Sequence, residues 1–413
     1  MPRSVVSTVA PTPPRLVVGR LASGLLDREA SVLLLARLAQ NANGFLLSVL
    51  LVRQFGLAAA GTATVATVAI TALALLGTAG LPFSLAREGA GVAERNATGL
   101  AASALVVPLA LPAIALYAWL ASRGVEEAVA VGLLALGGLF FAQVNVLNAL
   151  LVLQGRVRLS LLPPLANLAG LGVAAATASS LAGFAAVLAL FRLAGVAMVY
   201  TRLDLAPVAP RAVLARVRAG AAFLTTDAIN LGSDQFVLLL VSYLLPREAL
   251  GLVGLCRQLM TVAETPGWSL VQSRYPELVS RAGAGFPHLR GRIVRLSLLC
   301  SAVTLPAAWL LGTKLYEVPA LWPLAAVFAA ALPARYLGNL YEQTLRALGA
   351  VRSSNRVAAL RFAVALVALP AAAALAGAWG YAAGIVAVSY LALLLGWRVT
   401  RPMLSHAPSG ASA

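Results

Sequence analysis

Long apolar runs follow one another from residue 31 to residue 398, each ended by a charge, a glycine or a proline. Breaking the chain at those points gives twelve segments: 31–53, 61–86, 99–120, 128–153, 159–179, 181–200, 219–244, 249–272, 292–313, 319–346, 357–376 and 380–398. Each approaches or exceeds the roughly 20 apolar residues that cross a hydrocarbon layer. None alternates apolar with polar over about ten residues, as a barrel strand does. Because lipid offers the backbone no hydrogen-bond partners, the runs predict helices.

Arginine sets the expected orientation. The loops after even-numbered segments hold most of the basic residues, among them Arg87, Arg156, Arg158, Arg211, Arg290, Arg352 and Arg398. Those after odd-numbered segments hold only Arg53, Arg123, Arg247 and Lys314. By the positive-inside rule both termini are expected in the cytoplasm and the chain in the inner (cytoplasmic) membrane. Residues 1–30 read as a cytoplasmic tail rather than a cleaved signal, since no apolar core precedes a small-residue cleavage site. The expected domains are then an N-lobe over 31–200, a cytoplasmic linker over 201–218, a C-lobe over 219–400 and a tail over 401–413.

Composition agrees with the pattern. Hydrophobic residues make up 61% of 413 and charged residues 11%, whereas a soluble domain is about half apolar and a quarter charged. The formal net charge of +17 is read as loop topology and not as a nucleic-acid surface, because no basic patch is interleaved with aromatics. Cys256, Cys300, His288 and His406 show no metal-ligand spacing, so no metal or cofactor is expected. A membrane glycan polymerase or glycosyltransferase needs a general base beside an acceptor site outside the membrane. The loops are too short for the ~50 residues of a folded domain, so an enzyme is not expected.

The chain also echoes itself. NVLNALLVLQGRVRLS (145–160) and NLYEQTLRALGAVRSS (339–354) share six of sixteen positions at an offset of 194, including Asn145/Asn339, Gly155/Gly349 and Arg158/Arg352. LAAAG (57–61) and REALG (247–251) are related at an offset of 190. Both echoes pair a segment with the one six later, which predicts two parallel six-helix lobes about an axis along the membrane normal.

The stretch LARLAQNANGFLLSVLLVRQFGLAAAGTATVATVAITALALLGTAGLPFSLARE (35–88) has a polar-studded first helix, a Phe-Gly turn, a second helix, then Gly-Leu-Pro and Arg-Glu. It resembles the opening of the polysaccharide/O-antigen (Wzx-like) flippases of the multidrug/oligosaccharidyl-lipid/polysaccharide (MOP) exporter superfamily. DQFVLLLVSYLLPREALGLVGLCRQLM (234–260) resembles the start of that family's second half. The resemblance implies an all-α polytopic membrane protein, with twelve transmembrane helices in two six-helix lobes around a central cavity that opens alternately to each side. It implies a monomer that moves a polyprenyl-pyrophosphate-linked oligosaccharide, with membrane lipids, H+ or Na+ and polysaccharide polymerase machinery as candidate partners.

Ionisable residues inside spans are costly in lipid and mark candidate sites. Asp227, Asn230 and Asp234 fall at i, i+3 and i+7, on one face of segment 7. Depth along antiparallel segments 7 and 8 sets Arg257 level with Asp234 and Glu264 level with Asp227. These carboxylates are candidates for carrying a coupling ion or for gating, the alternative being a static interhelical network. Carrying the 190 offset back sets Arg37 against Asp227 in the repeat, with Gln40 and Asn41 nearby. Arg37 and Asp227 then form a candidate gate if the two segments face each other; otherwise Arg37 snorkels to the headgroups.

Arg192, near the middle of segment 6, has a planar fork suited to pyrophosphate, or it pairs with a carboxylate or reaches an interface. Arg335, Asn339, Glu342 and Arg346 share a face of segment 10, with Glu342–Arg346 a structural i, i+4 pair. The candidate cavity set is therefore Arg37, Asn41, Arg192, Arg257, Arg335 and Asn339. The candidate coupling set is Asp227, Asn230, Asp234 and Glu264. Such a mix of charges departs from a purely cationic cavity and also suits a multidrug/cation antiporter of the same superfamily, coupled to H+ or Na+.

Overall fold

A computed structural model describes residues 28–78, 91–154, 156–221, 235–280 and 286–405. They form helices α1 (Arg28–Phe55), α2 (Leu57–Thr78), α3 (Val92–Ala121), α4 (Val125–Ala142), α5 (Val144–Leu153), α6 (Leu162–Thr177) and α7 (Leu181–Tyr200). The second half continues with α8 (Pro210–Ala221), α9 (Gln235–Leu244), α10 (Arg247–Ser280), α11 (Phe286–Leu310), α12 (Leu321–Ala329), α13 (Leu332–Ala347) and α14 (Val351–Ser405). A 3-10 turn over Val157–Leu161 leads into α6, and a π-turn over Leu311–Leu315 extends α11. No strand occurs among the described residues.

Among the described residues, six helical stretches are long and apolar enough to cross a membrane: Val125–Asn148, Val157–Thr177, Leu181–Tyr200, Phe286–Leu315, Leu321–Ala347 and Arg352–Leu404. Leu57–Ile70, Ala110–Ala121 and Gln235–Leu244 are shorter apolar helices. The last long stretch breaks at Ala376 and Gly377, where the backbone leaves the helical region and Gly377 takes a φ of 60°. Glycine adopts that left-handed conformation without the Cβ clash other residues meet. The break falls where segments 11 and 12 are separated in the sequence pattern, so α14 holds two helices, the second turning back at the break so that Gly384 lies against Leu369 and Ala372 of the first.

The expected linker over 201–218 is not a plain connection, because α8 forms within it. Val213 of α8 is buried against Ala102 of α3 and Val146 and Leu150 of α5, while Arg211, Leu214 and Arg218 on its other face are exposed. Nearby, Asn96 is fully buried, accepts a hydrogen bond from Gln154 Nε2 at 2.6 Å and donates one to the Asp204 carbonyl at 2.9 Å. A buried amide left unpaired would be costly; here it ties α3, the end of α5 and the chain after α7 together.

Most helix packing stays within one half of the chain: α4, α6 and α7 pack together, as do α10, α13 and α14. The main crossing between halves is α2 against α10. That crossing positions the site.

Candidate functional site

A cavity of about 370 Å³ lies between α1 and α2 of the first half and α9 and α10 of the second, in the size range of small-molecule pockets. Its polar lining comes from Gln40, Asn41 and Ser48 on α1, Thr64 and Thr67 on α2, Gln235 on α9, and Arg257, Gln258 and Thr261 on α10. Leu47, Leu51, Leu238 and Leu255 supply apolar wall. Arg257 is the ionisable residue of this lining, and no carboxylate joins it among the described residues.

A second cavity of about 210 Å³ opens beside it within the second half, and Gln235, Arg257 and Thr261 line both. Its deeper wall is made of Glu264, Arg335, Phe328, Tyr381, Leu369 and Ile385. Arg335 Nε lies 2.7 Å from Glu264 Oε1, with the glutamate side chain 14% exposed. The Gln235 Oε1 atom is buried and accepts no hydrogen bond among the described residues, so it is an acceptor available to a molecule in either space.

The expected residues divide accordingly. Asn41 and Arg257 line the central cavity, and Arg257, Arg335 and Glu264 line the adjoining one. Asp227, Asn230 and Asp234 lie outside the described residues, as does the side chain of Arg37, so the proposed pairings through them stay open. Glu264 meets Arg335 from α13, a partner that matching depths along segments 7 and 8 alone does not bring up. Asn339 is half-buried on α13 and lines neither cavity. Glu342 and Arg346 pair at 2.5 Å along the same helix. Arg192 lines neither cavity: it is buried in the first half, with its Nε donating to Asn167 Oδ1 at 2.7 Å.

One end of the central cavity is closed by contacts between the two halves of the chain. Glu127, at the start of α4, meets Arg247, at the start of α10, at 2.5 Å, with side chains 17% and 8% exposed. Thr62 Oγ1 and the backbone N–H of Arg123 also donate to the Glu127 carboxylate, at 3.0 and 2.8 Å. Arg247 donates further to the carbonyl of Ala121, and Arg123 to that of Leu245 at 2.7 Å. Tyr243 donates to the Leu120 carbonyl at 3.2 Å.

On the other flank Arg53 donates to the carbonyls of Leu315 and Lys314, at 2.8 and 3.1 Å, and pairs with Glu317 at 2.9 Å. Ser48 and Tyr316 share a hydrogen bond of 2.9 Å, and the Phe45 ring meets Tyr316 edge-on at 5.9 Å. Arg53, Arg123 and Arg247 are three of the four basic residues that the pattern assigns to odd-numbered loops. Each is a donor across the halves. Sequence reading missed them because it took them as residual exceptions to a topology signal. It also missed Gln235 and Gln258, single amides within apolar runs.

The repeat motifs meet at the same end. A Cβ added to Gly61 would collide with the carbonyl of Arg247, and one added to Gly251 with the carbonyl of Leu57. At the 190 offset Leu57 corresponds to Arg247 and Gly61 to Gly251, so the two contacts are reciprocal: each motif's glycine touches the first residue of the other. A two-fold interface has this pattern, in which residue i meets j and j meets i. Small residues at these positions let the backbones of α2 and α10 approach closely.

No protein-family model and no curated protein matches the sequence. Solved structures do. The chain is similar to a multidrug resistance MATE family transporter of the MOP superfamily, solved in an inward-facing conformation, with a TM-score of 0.67 at 16% identity over 92% of this chain and 96% of that one. It is similar to the lipid II flippase MurJ in an inward closed conformation, with a TM-score of 0.66 at 9% identity over 90% and 87%. A MOP superfamily transporter from Pyrococcus furiosus Vc1, described by a binding pocket of reverse polarity, gives a TM-score of 0.52 at 14% identity over 91% and 93%. The fold is that of MOP superfamily transporters.

Proposed function

We propose that this chain is an alternating-access transporter that moves a polyprenyl-pyrophosphate-linked oligosaccharide between the leaflets of the inner membrane. The observation that carries the reading is the lining of the central cavity: amides, hydroxyls and one arginine, without a carboxylate among the described residues. Amides and hydroxyls donate to and accept from sugar hydroxyls. Arg257 offers a planar fork to an anionic phosphate. Among the described residues of that lining an organic cation would find no counter-charge. The fold likeness to a lipid II flippase is in keeping with a lipid-linked substrate.

Twelve transmembrane helices in two six-helix lobes, related by an axis along the membrane normal, make the mechanism. The reciprocal glycine contacts of Leu57, Gly61, Arg247 and Gly251 support that arrangement. With both termini cytoplasmic, the end held by Glu127 and Arg247 faces outward, and the structure corresponds to a state closed on that side. Substrate enters from the cytoplasmic side, the contacts of Glu127, Arg123, Arg247 and Arg53 separate, and the cavity turns outward. Glu264, with Asp227, Asn230 and Asp234, is the candidate group for coupling to H+ or Na+, and Arg37 a candidate gate residue.

A multidrug/cation antiporter is the second reading. It is favoured by the MATE likeness and by Glu264 in the adjoining cavity. Ligand-dependent thermal stabilisation of the purified protein separates the two. The first reading expects stabilisation by a short-chain polyprenyl-pyrophosphate disaccharide, reduced in Gln258→Leu and Arg257→Ala. Stabilisation by an organic cation instead, lost in Glu264→Gln, would select the second.

A further inference from the structure

We infer that Arg192, Asn167 and Phe141 form a binding site for a small monovalent anion of chloride's class, buried in the first half of the chain and apart from the central cavity. The inference does not depend on which substrate the cavity carries. Arg192 stands on the buried stripe of α7, in register with Ala185, Leu188, Val196 and Val199, and is itself 8% exposed. Those positions are three or four residues apart, so they lie on one helical face. An apolar side chain would be ordinary there. Along the helix Tyr200 is roughly 12 Å away, at 1.5 Å per residue, and the guanidinium is held inside the helix packing instead of reaching that end.

Its described partners are neutral. Nε donates to Asn167 Oδ1 at 2.7 Å, and the guanidinium carbon sits 5.3 Å from the centre of the Phe141 ring. Asn167 is 1% exposed, so the amide is fixed within the same packed interior. The ion pairs between described residues engage Arg53, Arg156, Arg247, Arg335 and Arg346; no described carboxylate reaches Arg192. Nη1 and Nη2 form no hydrogen bond with described residues.

Arginine does not escape by losing its proton as a buried lysine can, because the delocalised guanidinium stays protonated near neutral pH. A lone charge in the membrane interior is strongly unfavourable unless it is paired. Water can solvate the two free nitrogens but leaves the charge in place. One positive charge asks for one negative charge. Because Asn167 occupies Nε, what remains is the outer edge of the guanidinium, where the N–H groups of Nη1 and Nη2 point to the same side and converge on a single acceptor. The ring of Phe141 covers part of the cation with its negative face.

The site is also tied to the central cavity's wall. Asn43, 3% exposed on α1, donates to the Pro164 carbonyl at 2.7 Å, one turn before Asn167 on α6. Neutralising Arg192 therefore stabilises the α6–α7 packing against which α1 is pinned, the helix that carries Gln40 and Asn41.

Thermal unfolding of the full-length protein in detergent tests this, with sodium chloride replaced stepwise by sodium gluconate at constant ionic strength. The midpoint of the wild type rises saturably with chloride, by about 3 °C at a hundredfold excess over Kd, given the usual linkage and size scaling. Arg192→Lys keeps a chloride-dependent shift because it keeps the charge, whereas Arg192→Gln loses it. A midpoint indifferent to chloride in the wild type, or a shift that persists in Arg192→Gln, overturns the assignment. Should the glutamine variant not fold, anomalous scattering from wild-type crystals grown with bromide decides the matter. A bromide peak within about 3.5 Å of Arg192 Nη1 or Nη2 supports the site, and a map with no peak there overturns it.

Discussion

The Glu127 carboxylate and the Arg247 guanidinium lie 2.5 Å apart, joining the start of α4 to the start of α10 across the two halves of the chain. Both side chains are largely buried, and Thr62, Arg123 and Ala121 complete their hydrogen bonds. The cross-half hydrogen bonds of Arg53, Arg123 and Tyr243 lie at this same end of the cavity. Glu127 and Arg247 are therefore the contact that must separate if this end opens.

Breaking a buried pair by removing one partner costs about 3–5 kcal/mol, because the other charge is left uncompensated. An open state that solvates both groups loses almost none of this. Glu127→Ala is expected to shift the equilibrium toward opening at this end by more than about tenfold. Thr64→Cys, whose position lines the central cavity, reports it. Labelling by an impermeant maleimide added on this side should rise at least that much in the Glu127→Ala background. Unchanged labelling would show that the pair does not hold the end shut.

Gly251 and Gly61 let α2 and α10 approach until a Cβ has no room. Overpacking of this kind costs about 1–3 kcal/mol. Gly251→Leu should push the helices apart while each half keeps its own packing. Cysteines replacing Arg53 and Glu317, whose long side chains meet at their tips at 2.9 Å at the same end, should be joined by a bifunctional maleimide that spans the length of the side chains they replace, readily in an otherwise native chain and poorly with Gly251→Leu present.

Glu264 and Arg335 form a pair of mixed burial, at 14% and 32% exposure. Solvent screening reduces its worth below that of a fully buried pair. Arg335→Gln is expected to lower the unfolding midpoint, and adding Glu264→Gln should recover part of the loss, since the second change removes the carboxylate that Arg335 no longer balances. A double-mutant cycle in thermal unfolding measures the coupling. Additive losses would mean that the two side chains do not act as a pair.

Helix positions were largely legible in the sequence, because a hydrocarbon layer demands long apolar runs and permits few charges within them. The break at Ala376–Gly377 was legible for the same reason, through a glycine between two such runs. The direction in which a side chain faces was less so. Arg192 looks like a cavity residue because charge in mid-span is rare, yet a helix apolar on every side carries no stripe to say which face is inward. Leu188 and Val196 reveal that face only once α6 is beside them. The echo of LAAAG in REALG shows which residues correspond, not which touch. Arg53, Arg123 and Arg247 all bind backbone carbonyls, which have no side-chain signature to find, and the carboxylates of Glu317 and Glu127 that Arg53 and Arg247 also meet lie far away in sequence.

The central claim is that the amide- and hydroxyl-lined cavity carries a lipid-linked glycan. Its most direct test is the flipping of a fluorescent polyprenyl-pyrophosphate oligosaccharide in proteoliposomes, comparing the wild type with Arg257→Ala and Gln258→Leu. The account predicts protein-dependent flipping that falls at least about tenfold in both variants while their unfolding midpoints stay near that of the wild type, a loss of one charge-assisted contact being worth about 1.5–3 kcal/mol. A wild type that does not flip this lipid, but drives organic-cation efflux on a proton or sodium gradient, would contradict it.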